Sequence, residues 1–273
     1  MNKRSPSSAR SARILARGLL GCLIVTAICL DAAQLKEARV THVVNDVKLA
    51  PAQAAPHPVT ASKGVRDGDA IVTGAASRSE LILADQTIIR LGPKTAVSFS
   101  EGTRTMNLSE GAMLFQIPKS TGKVKIKTDA ITTASTGATG IIERHGQFYV
   151  KVLVLEGTVR CYLTNRLGES LLVRPGQILI TKPDKLALPE PADFDIAREM
   201  KTCLLVRQFQ PLPSQGLIEL EEQKQLKLIA KGKYIPSNLV IFGRGTLVNL
   251  VNPPPTTPPS KPATNTGHQS NTP

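Results

Sequence analysis

The chain of 273 residues has no tryptophan, and only three tyrosines and six phenylalanines. Any core must therefore be assembled from Val, Ile, Leu and Ala. Cysteine is scarce too: four residues, of which Cys22 and Cys29 fall in the N-terminal apolar run. Cys161 and Cys203 are too few for a disulfide framework, and with no neighbouring histidine they make no metal site. Either a Cys161–Cys203 bridge or two separate small hydrophobes is compatible with the spacing. No G-x-S-x-G, phosphate loop or H-E-x-x-H occurs, which removes the commonest nucleophile, nucleotide and zinc-protease signatures. No catalytic residue, metal ligand or cofactor is expected, and the chain does not read as an enzyme.

Acidic residues are outnumbered 34 to 21, for a net charge of +13. The excess is spread out. Residues 1–17 carry five basic side chains (Lys3, Arg4, Arg10, Arg13, Arg17) and no acid, whereas residues 60–182 carry 16 basic and 10 acidic ones. Part of the charge is thus a targeting feature, and nucleic acid is not the expected partner. After the basic start comes Gly18–Leu30, 13 uncharged positions closed by Asp31. As a helix it would span about 20 Å, against a hydrocarbon core of roughly 30 Å, a length suited to a secretory h-region. Residues 1–33 read as a signal peptide, or as an anchor if uncleaved. The positive-inside rule then puts the rest outside the cytoplasm, in the periplasm or beyond.

Residues 34–62, Ala-, Pro- and Gln-rich around PAQAAPHP, read as a spacer. From 63 to 183 short apolar runs alternate with turns. Asp67-Gly68-Asp69 is a turn, and Ser79–Ala84 and Thr87–Leu91 flank Asp85-Gln86 as a hairpin. Ala96–Phe99 and Arg104–Leu108 flank Glu101-Gly102, and Glu110-Gly111 leads into Ala112–Ile117. Lys123–Lys127 (KVKIK) alternates strictly, with Val124 and Ile126 inward and the lysines outward. Gln147–Leu155 is the longest strand, stopped by Glu156-Gly157. A dozen short strands with no helical period between them make an all-β unit.

Residues 184–251 change period. Asp193 can cap a helix carrying Phe194, Ala197, Met200 and Leu204, and Ser214 can open a second one stopped by Gly232. Short strands are expected at Leu239–Phe242 and Thr246–Val251. Residues 252–273, with PPPTTPPSKP, lack the apolar content to pack and read as a disordered tail.

Three runs, SELILADQTIIRLGPKTAVSF, LSEGAMLFQIPKSTGKVKIKT and VLEGTVRCYLTNRLGESLLVRPGQILI, together resemble the FecR domain over about residues 65–182. The resemblance implies an envelope-exposed β module, solenoid-like or twisted antiparallel. In members of that family it senses an outer-membrane receptor and controls a sigma factor through a cytoplasmic N-terminal region. Here the 17 residues before the apolar run are too few to bury a core, so direct anti-sigma activity is not expected. The reading is an exported, non-enzymatic interaction or scaffold module for an envelope protein, with a role in cell-surface signalling. The alternative is a carbohydrate- or wall-polymer-binding module.

Among local clusters, Glu143-Arg144-His145 is the one acid/base grouping, and a solvated hairpin tip is the simpler account of it. Asp67 and Asp69 fit an Asx turn better than a calcium loop. Lys119, Lys123, Lys125 and Lys127 form the one patch with geometry. Lys123, Lys125 and Lys127 could meet an anionic polymer or lipid surface, but the expectation is that they guard an edge strand against pairing.

Overall fold

Alternation of apolar and polar side chains explains most of the backbone. The computed structural model describes residues 37–100, 103–164, 166 and 168–234, which fall within one compact unit. The export segment, the strands expected at 239–251 and the Pro-rich tail lie outside the described residues.

In chain order the strands are β1 (Glu37–Val44), β2 (Val47–Ala50), β3 (His57–Pro58), β4 (Gly64–Arg66), β5 (Ala70–Thr73) and β6 (Arg78–Leu83). They continue with β7 (Ile88–Leu91), β8 (Ala96–Phe99), β9 (Thr105–Ile117), β10 (Val124–Lys127), β11 (Ile131–Ser135) and β12 (Ala138–His145). The last are β13 (Tyr149–Gly157), β14 (Val159–Leu163), β15 (Ser170–Val173), β16 (Gln177–Thr181) and β17 (Ala192–Asp193). Helices α1 (Ile196–Thr202), α2 (Leu204–Arg207) and α3 (Gln215–Ala230) follow.

The pairings sort these strands into two sheets. Sheet A runs β4-β1-β6-β7-β9-β12-β13-β16-β17, every neighbour antiparallel. Sheet B runs β3-β2-β5-β8-β9-β10-β11-β14-β15, antiparallel except for the parallel β9–β10 pair. β9 belongs to both. Its first half pairs with β8 and β10, its second with β7 and β12, and the change falls at Gly111. That residue sits at φ 91°, and a Cβ there would come within 2.5 Å of the Thr95 Cα. The chain passes back from sheet A to sheet B at Gly157, φ 75°, where a Cβ would clash with the Gly137 carbonyl. Glu110-Gly111 is therefore a bend inside one long strand that joins Arg104–Leu108 and Ala112–Ile117, expected from the sequence as two separate strands. Glycine is needed there because no other residue tolerates both the left-handed φ and the close backbone.

Side chains facing inward from both sheets form one aliphatic core. From sheet A come Val40, Leu81, Ile89, Phe115, Met113, Ile142, Val152 and Leu179, each in cross-strand register with the next within its row. From sheet B come Leu49, Ile71, Val97, Met106, Ile126 and Val159. The all-β class expected from the sequence holds, in the form of two layered sheets.

Sheet A has a second buried face. Leu114, Ile141, Leu153 and Ile178 form a row on it and pack with Phe194, Ile196, Leu205, Leu212 and Ile218 from the C-terminal segment. Each such side chain contributes about 1.5–3 kcal/mol of burial. α1 starts at Asp195, whose carboxylate accepts from the Arg198 amide; Asp193, expected as the cap, pairs in β17 instead. Ser214 does precede α3, and Gly232 at φ 65° follows it. Buried Gln225 of α3 accepts from the Ile196 amide and donates to the Phe194 carbonyl, which pins α3 to the start of α1.

The spacer assigned to residues 34–62 is corrected. β1 and β2 are integral strands, pairing with β6 and β5 and burying Ala38, Val40, Val47 and Leu49. Their period-2 apolar pattern outweighs the Ala/Pro/Gln composition of the loop after them.

Candidate interaction face

The two outer faces of the sandwich treat charge in opposite ways. On sheet A, beneath the helices, the two most deeply buried cations, Arg90 and Lys151, each have a carboxylate partner. Arg90 is 1% exposed; it donates from Nε to Glu80 at 2.8 Å and from Nη1 to the Leu205 carbonyl at 3.1 Å, and it lies 4.9 Å from the Phe209 ring centroid. Its Nη2 reaches the Gln210 carbonyl. Burial lowers its pKa, and its hydrogen bond to Glu80 opposes that. Lys151, 2% exposed, pairs with Glu143, which also accepts from the Tyr149 hydroxyl at 2.7 Å. Glu199 of α1 is buried nearby, and desolvation pushes its carboxyl up, partly offset by Lys151. These are costly groups to bury, and each is compensated.

Among the described residues, sheet B carries no such layer. One cross-strand row on its outer face reads Ala50, Ala70, Ser98, Asn107, Lys127, Thr132, Tyr162, Ser170. At about 4.8 Å per strand it extends roughly 34 Å. The next row carries Thr105, Lys125, Ala134, Arg160 and Leu172. Lys125, Lys127 and Arg160 are exposed, and no carboxylate among the described residues is within ion-pair distance of them. Arg160 donates to Ser170 Oγ at 3.0 Å. Thr132 and Thr164 share a hydroxyl hydrogen bond of 3.0 Å. Near Asn107 and Lys127 a groove of about 460 Å³ is lined by Ser109, Thr128, Asp129, Arg144 and Thr164 as well. Arg144 is committed to Asp129, at 2.8 Å, and to Glu110. Those bonds hold the Asp129 carboxyl below the usual range.

The expected edge-guard role of the lysines is overturned. β10 is bonded on both sides, to β9 and β11, so Lys125 and Lys127 stand in the middle of a sheet and protect no edge. Lys123 lies just before the strand and Lys119 lines a different groove, beside α3. Glu143, Arg144 and His145 are not brought together as an acid/base set: Glu143 engages Lys151, Arg144 engages Asp129 and Glu110, and His145 stacks on Tyr149. Asp69 accepts from the Arg66 amide at 2.9 Å, three residues back across Gly68, which closes the turn without the side chain-to-i+2 bond that defines an Asx turn. Cys161 and Cys203 are free thiols, Cys161 in the inter-sheet core and Cys203 against the helical layer. Burial pushes each up to about 12, which leaves them inert as nucleophiles. Among the described residues no cluster of His, Cys, Asp and Glu is arranged to hold a metal. Arg160, Tyr162 and Asn107 were not singled out from the sequence, although V-R-C-Y-L over Val159–Leu163 alternates as clearly as KVKIK.

Residues 69–160 match the family model described as FecR protein. The FecR-type region covers about a third of the chain and contains Lys125, Lys127 and Arg160. Two crystal structures of a candidate anti-sigma factor from Parabacteroides distasonis ATCC 8503 are similar to the chain. One has a TM-score of 0.41 at 15% identity over 50% of this chain; the other has 0.41 at 13% over 49%. The match takes in 64% of the length of those relatives. No curated protein matches.

Proposed function

We propose that the chain is an exported, non-enzymatic FecR-type interaction or scaffold module of the bacterial cell envelope, acting in cell-surface signalling. The observation that carries this reading is the contrast between the outer faces. Helices close one, and the other presents three cations that, among the described residues, have no ion-pair partner and no layer over them. Unpaired charge exposed on a sheet face is free to meet a partner through long-range attraction. The FecR-type match over residues 69–160 supports an envelope role.

The test is cross-linking in intact cells from probes at Ser98 and Lys127, followed by mass spectrometry. A dominant envelope protein supports the reading; no captured protein contradicts it. A second reading, binding of a wall or surface polymer, is favoured by the mid-sheet position of Lys125 and Lys127, which leaves them without a role in guarding an edge.

A further inference from the structure

We infer that the outer face of sheet B is a binding site for an acidic polysaccharide, laid across the strands along the row that contains Asn107, Lys127, Thr132 and Tyr162. The inference deepens the polymer-binding reading and rests on it.

Four observations converge. The face is cationic and unsatisfied: Lys125, Lys127 and Arg160 form a compact group on β10 and β14, two strands apart, with no ion-pair partner among the described residues. Their spacing suits a chain of repeated negative charges rather than one small anion. The face also carries hydroxyl and amide groups at Ser98, Asn107 and Ser170, the partners a sugar chain needs, whereas Thr132 between them is 5% exposed and bonded to Thr164. It is flat and low at its β2 end, where the row consists of Ala50, Ala70 and Ser98. A linear chain can lie there without displacing side chains.

The fourth observation decides between a glycan and a protein. A stable protein interface has an apolar, aromatic-rich centre. This row offers Tyr162 as its one aromatic, half-buried, and the large apolar side chains on the two rows come down to Leu172. A docked protein would gain little from burial. A carboxylated polysaccharide instead finds charge for its acids, hydroxyls for its rings and Tyr162 as a stacking surface. The groove beside Asn107 and Lys127 gives that chain a place to enter at the β9–β10 junction.

The test is binding of the full chain to polygalacturonate, measured by calorimetry, with poly-glutamate and uncharged dextran as comparison probes. Polygalacturonate should bind, and binding should weaken as salt rises to roughly 0.15 M, where the Debye length is about 8 Å. Removing the three charges together (Lys125→Ala, Lys127→Ala, Arg160→Ala) should weaken it about tenfold or more. Tyr162→Ala should weaken polygalacturonate binding about threefold or more, with no change for poly-glutamate. Lys201→Ala, on α1 across the molecule, should change nothing; thermal unfolding of each variant verifies the fold. Equal binding of poly-glutamate, equal binding of dextran, or full binding by the triple variant each overturns the inference. Capture of an envelope protein in cells with no polygalacturonate binding also overturns it, while leaving the interaction-module reading standing.

Discussion

The outer faces of sheets A and B are built from strands of one chain with the same two-residue period, yet one became a second core and the other stayed a surface. The difference lies in what occupies the outward positions. On sheet A they read Leu114, Ile141, Leu153 and Ile178, and the charges among them, Arg90 and Lys151, each face a carboxylate. On sheet B they read Ser98, Asn107, Lys125, Lys127, Thr132 and Arg160, with the cations unmatched. A strand covered on both sides becomes a continuous apolar run, as in Val152–Leu155; a strand covered on one side keeps strict alternation, as in Val124–Lys127. The lesson is that a cation's significance is set by whether its face has a cover. Lys151 is paired with Glu143 beneath the helical layer, and Lys127 has no ion-pair partner among the described residues.

The comparison breaks most easily at Arg90. Arg90→Ala strands Glu80 and removes the donors to the Leu205 and Gln210 carbonyls, and it should cost about 3–5 kcal/mol in urea unfolding. A loss below about 1 kcal/mol would mean that the helices are not keyed through this residue. Next comes Ile218→Ala, which opens a cavity between α3 and sheet A and should cost about 2–4 kcal/mol by the same measurement.

Glu199 sharpens the contrast through pH. Its folded pKa is raised above the unfolded one, so the chain holds that proton more tightly when folded. The stability it contributes is full below the ordinary glutamate pKa and is lost as pH rises through the elevated folded value. Unfolding midpoints should therefore fall over that window, and Glu199→Gln should flatten the decline. A mutant curve parallel to the wild type would contradict this. The smallest effect belongs to sheet B. Lys125→Ala with Lys127→Ala should leave stability within about 0.5 kcal/mol, because neither lysine has an ion-pair partner among the described residues to lose.

Local signals in the sequence reached the hairpin at Asp85-Gln86, where Thr87 donates to Asp85 as the turn demands, and the inward and outward positions of KVKIK. They did not reach the neighbours of β10. One of these, β9, is parallel and precedes it by some twenty residues, a pairing no local pattern encodes, so lysines at mid-sheet looked like edge guards. β1 and β2 were readable in Ala38, Val40, Val47 and Leu49 but were hidden by the Pro- and Ala-rich loop behind them. The helices were visible, yet their place over sheet A was not. Its one trace was the apolar run of β13, buried on both sides. The cationic site came through half-seen, because Lys125 and Lys127 are adjacent in sequence while Arg160 and Tyr162 join them only through the β11–β14 pairing.

Sheet B, not the helical layer, is the face proposed to meet a partner. Hydroxyl-radical footprinting of the chain in intact envelopes, against the purified chain, tests it most directly. Protection at Lys125, Lys127 and Tyr162, with Leu220 and Leu226 of α3 unchanged, is the predicted result. Protection confined to α3, with sheet B as reactive in the envelope as in solution, would contradict it.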